Sequence, residues 1–518
     1  MSIRIIIPFL ICSLTACIST KKYNQQLKAK HSIKELKTDL SIIKTSLEQV
    51  HPGIYWYIPK EKLDFKFDSI QNSIKDSMTS LDFYRMAAPI VSELKCGHTR
   101  LIYPNLILSK EENKEAQKKG PPPLNTLQYN VEDDKIFIVA NKGNASNTII
   151  PRAQIISIDS VTVKQILEKT KKIIASDGYN STYSNAVLNK VFCDYYYLAF
   201  AKKDSNILEI RDSSGLSNVW LKTEKREVEK QKIVVNNTKK EKQEEIVKNK
   251  LIKKNKYKGL DENKQPILDY KVDTTLKSTA ILKIKSFMLS YKNTNKFLKE
   301  SFKSIEENKI DNLILDLRDN GGGNILNDHL LFRYLYSTPH KFTARTDMKT
   351  RFFTNQKYIQ RLFNKKFLDD INRSLFIKRD SLGYYKKLSL ENDNKALKHH
   401  FDGNLTVLIN GLSFSTTSLL AANLQSVKRG FFIGEETGGG YNQCSGGTFP
   451  IISLPNTGLN LRVPDIILRI ENTRALVGRG VFPDLEIKPT LEDVIKGNDV
   501  VMEKAKELIN IKALSLLK

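Results

Sequence analysis

The chain has 518 residues, 40% hydrophobic and 27% charged, with a formal net charge of +26. That length is too great for one compact core, so two to four domains are expected, and the composition is that of a soluble globular protein. The charge suggests nucleic acid as a partner, but its distribution excludes that reading. From Lys222 to Lys258, fourteen Lys/Arg face six Glu with few aromatics, which describes a solvated helix or linker. No zinc-finger spacing or aromatic RNA-binding motif accompanies it.

In chain order, "MSIRIIIPFLICSLTAC" has an early arginine, a short apolar run and small residues before Cys17. The run is too short to span a bilayer but suits a signal-peptide core over residues 1–16. "LTAC" resembles a bacterial lipobox, which implies lipidation at Cys17 and a lipid-anchored protein of the cell envelope. An ordinary secretory signal is the alternative. Cys96, Cys193 and Cys444 remain, an odd number without metal spacing, so no disulfide framework and no metal or other cofactor is expected.

Residues 17–112 carry helical periodicity. Leu36, Leu40, Ile43 and Leu47 share one face, and "SLDFYRMAAPIVSEL" predicts a further helix capped at Ser80. "GPPPLN" marks a boundary near residue 120. Residues 113–221 follow with short strands, a turn and a helix, and "AQIISIDSVTV" resembles the second half of a PDZ domain. Residues 222–266 form the basic linker.

Residues 267–518 alternate strand and helix, which predicts an α/β layer, interrupted by a polar, mostly helical insertion at about 340–402. "LILDLRDNGGGN" is a continuous apolar strand that ends in glycines, where backbone N–H groups are free to face a ligand. No Gly-Lys-Ser/Thr follows, so the phosphate-loop reading fails, and an oxyanion site or a tight turn remains. In "VLINGLSFSTTSLLAANLQ" a strand, a turn and a helix place Ser415 where free N–H groups and the helix dipole favour developing negative charge. Ser413, Ser415 or Thr416 could equally cap that helix.

These motifs, with "HPGIYWY", "ELKCGHTRL", "IGEETGGG" and "GVFPDLEI", occur in an order that resembles the S41 family of serine peptidases, which includes carboxyl-terminal processing and tricorn-type enzymes. The resemblance implies a multidomain α/β protein with a crotonase-like catalytic domain and hydrolysis of proteins or peptides at Ser415. It also implies oxyanion donors from the Gly321–Gly322 turn and from Thr416.

The processing branch places a basic lysine where this chain has Gly440, so a Ser–Lys dyad is not expected. The tricorn branch uses a histidine from a "GHT"-like motif, here His98, and imidazole titrates near neutrality as a general base should. A structural histidine at a helix end is the alternative. The position aligned with the tricorn-type acid is Val477, which leaves Glu471, Asp465 and Glu435 as candidates by chemistry only. A non-catalytic binding protein on the same fold is the rival function.

Overall fold

In a computed structural model, residues 20–132, 134–143, 150–223, 256–353, 356–359, 373, 375–392, 395–471, 473–475 and 477–511 are described. Cys17 and residues 1–16 lie outside them, as does most of the basic linker, 224–255.

The centre of the molecule is a six-stranded sheet in the order Leu268–Val272, Thr279–Ile284, Asn312–Asp316, Asn404–Ile409, Phe431–Gly434 and Leu485–Glu486. Its first pair is antiparallel and the rest are parallel. Both faces are covered, which explains the unbroken apolar runs. Leu313, Leu315, Val407 and Ile409 pack under the helices Tyr291–Glu307, Ile325–Leu335 and Thr416–Ser426. Ile314, Leu408 and Ile433 point the other way, onto Val501, Ala505 and Leu508 of the C-terminal helix. Alternate residues of a strand face opposite sides, so a doubly covered strand must be apolar throughout.

Two expectations change here. Residues 256–266, although mostly exposed, are tied to the central domain: Tyr257 lies against its core, and Asp261 pairs with Lys285 at 2.6 Å. The insertion at 340–402 contributes strands, Arg345–Met348, Ile377–Asp380 and Gly383–Lys386, to a five-stranded antiparallel sheet. The last two form a hairpin at "RDSLGYY", where Gly383 has φ 118° and the tyrosines favour the pleat.

The N-terminal helices form their own core. Helix Ile33–Val50 starts at a Ser32/Glu35 capping box and buries Leu36, Leu40, Ile43 and Leu47 as its periodicity predicts. The cap of the helix Ser80–Ser92 is Thr79, not Ser80, because the Ser80 hydroxyl instead donates to the Thr457 carbonyl at 2.7 Å. That bond belongs to a seam with a distant segment. The Asp39 carboxylate accepts from Asn456 Nδ2 at 2.9 Å, Thr457 N at 2.8 Å and Thr457 Oγ1 at 2.7 Å. Arg100–Ile102 pairs antiparallel with Asn460–Arg462.

Residues 127–222 form a further antiparallel sheet, in the order Leu127–Glu132, Lys135–Asn141, Gln154–Ile158, Ser205–Asp212 and Gly215–Lys222. Helices Val163–Lys172 and Thr182–Ala199 cover it.

Candidate active site

Ser415 sits just beyond the C-terminal end of the parallel strand Asn404–Ile409, where ligands gather in open α/β sheets. Its backbone, at φ 59° and ψ −128°, is in a sparsely populated region for a residue with a side chain. Such a conformation costs about 1–3 kcal/mol and persists only when its surroundings over-determine it. They do so here. Phe414 N donates to the Asn320 carbonyl at 3.0 Å, and Gly438 N donates to the Ser413 carbonyl at 3.0 Å. The Asn410 amide and Asp319 bond in both directions, tying the turns after neighbouring strands together.

Capping does not explain these hydroxyls. Ser415 makes no side-chain cap bond. Ser413 Oγ donates to the Leu317 carbonyl, and Thr416 Oγ1 accepts from Gly323 N. The Ser415 hydroxyl instead lies 2.9 Å from His98 Nε2, across 317 positions of sequence.

His98 belongs to the turn that follows the helix Ser80–Ser92. Thr99 N donates to the Cys96 carbonyl, and Arg100 Nε donates to the Gly97 carbonyl, which fixes the turn just before the strand Arg100–Ile102. The ring is 4% exposed and stacks between Phe414 and Phe449, with centroids 4.8 and 5.3 Å away. Burial, reinforced by the charges of Arg462 and Arg100 and by His51, holds its pKa well below the ordinary 6.5. The ring is therefore neutral at physiological pH and able to accept a proton.

The oxyanion candidates divide. Gly322 N is taken by Asn320 Oδ1 at 2.9 Å, which removes it as a free donor. Its role is close packing, since a Cβ there would lie 2.8 Å from Ser415 Cβ. Gly321 faces open space, and the N–H groups of Gly321 and Thr416 have no acceptor among the described residues.

Among the described residues, no acid orients His98. Asp465 is engaged with Arg373 and Thr448, Glu471 pairs with Lys341 at 3.5 Å, and Glu435 lies among Lys488, Glu486 and Glu132. Val477 is 57% exposed. His98 Nδ1 is buried without a partner among the described residues.

Sequence reasoning misses Asp177, in "ASDGYN". Its Oδ1 accepts from Gly97 N at 2.7 Å, and Oδ2 lies 3.4 Å from Gly440 N, so it bridges the histidine turn to the glycine that replaces the lysine. Burial pushes its carboxyl up to about 6, against those two N–H groups and Arg100. Only its position in the fold singles it out. Lys428, the nearest lysine after Ser415, is exposed beyond the far end of the helix Thr416–Ser426. At 1.5 Å per residue that is roughly 18 Å away.

No curated protein matches the chain in sequence. Among solved structures, mature CPAF superposes with a TM-score of 0.56 at 15% identity, covering 92% of this chain and 97% of that one. Mature CPAF complexed with lactacystin gives 0.56, 15%, 92% and 98%. A serine-to-alanine mutant of CPAF gives 0.54, 14%, 92% and 98%. At such identities the likeness is one of fold. Residues 278–487 match the model of peptidase family S41. That match is to the family its motifs led us to expect.

Proposed function

We propose that the protein is a serine peptidase that cleaves peptide bonds of proteins or peptides through an acyl-enzyme on Ser415. The observation that carries this reading is the 2.9 Å contact between Ser415 Oγ and the neutral, buried His98. His98 Nε2 takes the hydroxyl proton as Oγ attacks the carbonyl carbon, then returns it to the leaving amine. Water repeats the sequence to release the acyl group. The N–H groups of Gly321 and Thr416, at the positive end of a helix, stabilise the oxyanion. Asp177 is a positioning residue, because it holds the backbone of Gly97 beside the base.

In this reading the central sheet and its helices are a crotonase-like catalytic domain, and residues 113–221 are a PDZ-like module. Phe414, next to the nucleophile, packs into the core of that module. Cys17 carries a lipid anchor that holds the enzyme in a bacterial envelope, and the sequence "LTAC" alone supports this part.

An activity-directed fluorophosphonate tests the reading. It should label Ser415 in the wild type and fail to label His98→Ala. Absence of labelling on the folded wild type would reject the enzyme. Cys17→Ser should move the protein from the membrane fraction to the soluble envelope fraction, and unchanged retention would reject the anchor. One observation favours a second reading, a non-catalytic binding protein: no carboxylate among the described residues reaches His98 Nδ1.

A further inference from the structure

The fold gathers three metal-ligand groups that no sequence spacing announces. One ring nitrogen of His98, Cys96 Sγ and a carboxylate oxygen of Asp177 all lie within 4.8 Å of one another. His98 Nε2 is committed to Ser415, whereas Nδ1 is buried without a partner among the described residues, which leaves Nδ1 as the nitrogen to offer. We propose that this cluster is an inhibitory site for a borderline-soft divalent cation of the zinc class. Cys96 Sγ, His98 Nδ1 and Asp177 hold the ion. The inhibitory effect rests on the Ser415–His98 mechanism proposed above, whereas binding of the ion rests on this geometry alone.

The donor set selects the ion. Thiolate and imidazole suit zinc or cobalt, while magnesium and calcium demand oxygen ligands. Zinc bonds of about 2.0–2.3 Å place donors roughly 3.3–3.8 Å apart, so the three groups must draw in by about 1 Å. Asp177 has the freedom to do so. It lines a cavity of about 360 Å3, and its Oδ2 is the more weakly bonded oxygen. Cys96 lines the same cavity, which gives the ion a route in and leaves room for a water as fourth ligand. Charge also balances. A thiolate and a carboxylate neutralise the dication, as is needed beside Lys95, Arg469, Arg474 and Arg479 in the cavity wall.

Binding involves no redox change. The Cys96 thiol releases its proton to solvent, and sulfur, nitrogen and oxygen donate lone pairs to the ion. A neutral imidazole ligated through Nδ1 carries its proton on Nε2. Nε2 can then donate to Ser415 Oγ but cannot accept its proton. The ion thus locks the base in the wrong tautomer, with both catalytic side chains still in place.

The test uses the full chain, stripped with chelator and desalted. Zn2+ uptake is measured by titration calorimetry, and Co2+ is followed through its thiolate charge-transfer absorption. Ser415 labelling by a fluorophosphonate is timed in parallel, with Mg2+ as control. Wild type should take up one equivalent more than Cys96→Ser, with a cobalt–thiolate band that Cys96→Ser lacks. Asp177→Asn, nearly isosteric, should weaken uptake about tenfold or more. Zn2+, but not Mg2+, should slow labelling of the wild type at least about tenfold, and should no longer slow it in Cys96→Ser. Equal uptake by wild type and Cys96→Ser, or no thiolate band, overturns the site. Uptake without slowing overturns the inhibitory role. Labelling absent with and without zinc, alongside normal uptake, overturns that role together with the proposed peptidase and leaves the metal site standing.

Discussion

Ser415 and His98 meet at 2.9 Å, yet the two sides of that contact are held by different means. Ser415 is held locally, by one strand–turn–helix and the adjacent glycine turn, over a core whose strand residues are fully buried. His98 is held from a distance. Its turn leads into Arg100–Ile102, which is anchored on Asn460–Arg462, and the helix Ile33–Val50 is fastened to Asn456 and Thr457 through the carboxylate of Asp39 and the carbonyl of Glu35. Ser415 therefore has the stability of the central sheet. His98 has the stability of a partly polar seam, and the two can be perturbed separately.

Removing either partner gives the largest effect. Ser415→Ala and His98→Ala should each lower kcat/KM by about 1,000-fold or more, and the double variant should be little worse than either single one. Multiplying losses in steady-state hydrolysis would show that the two do not act as a unit. Next comes the seam. Asp39→Ala leaves the buried N–H and hydroxyl of Thr457 unpaired, at a cost of about 3 kcal/mol. Hydrogen exchange should quicken in residues 33–50 and 450–463 while 312–316 and 404–409 stay protected, and kcat/KM should fall in parallel. Equal loss of protection in the central strands would merge the two regions into one cooperative unit.

Gly97→Ala tests the junction itself. A Cβ there would lie 2.5 Å from the Phe414 ring, so ring or turn must shift, at about 1–3 kcal/mol of stability. Turnover should fall about 10- to 100-fold, because displacement of the base by a fraction of an ångström is enough. An unchanged rate would show that the turn can move without moving His98.

The pH dependence is subtler. Burial keeps His98 neutral below its ordinary 6.5, and burial with Lys349 pushes His51 down to about 3. Activity measured with chelator present should therefore keep its acid limb below pH 6.5. Both folded values are depressed, so the unfolded chain binds more protons below 6.5, and stability present at neutrality should be lost as pH falls from 6.5 towards 3. A thermal midpoint that rises over that interval would contradict the assignment. The smallest effect belongs to Lys428→Ala, which should leave turnover intact and stability within about 0.5 kcal/mol. A large loss would revive a lysine base.

What the sequence makes legible follows the same division. The strand–turn–helix around Ser415 and the glycine turn at 321–323 are local patterns, and they read correctly because neighbours in the chain build them. His98 emerges only through family resemblance, since nothing within "CGHTR" indicates a serine 317 positions away. Asp39, Asn456 and Thr457 look like ordinary polar residues of a helix and a turn until the fold pairs them. Asp177 sits in a polar loop, and its role depends on Gly97 and Gly440, both remote. The hairpin at 377–386 reads as helix in sequence because its charged residues conceal the period of two, whereas its glycine and tyrosines decide the structure. Gly322 reads as a donor because nothing in the motif shows that Asn320 claims its N–H.

The pairing of Arg100–Ile102 with Asn460–Arg462 also sets a timetable. A chain that emerges N-terminus first carries His98 early, but the strand that fixes it arrives only when about nine-tenths of the sequence has emerged. Contacts so distant in sequence close late, after the local helices and the central sheet have assembled. In refolding, hydrolytic competence should therefore lag behind helical content and core burial. As the proposed peptidase, the nascent chain is harmless to its neighbours during synthesis, because its site is completed only when this distant segment docks.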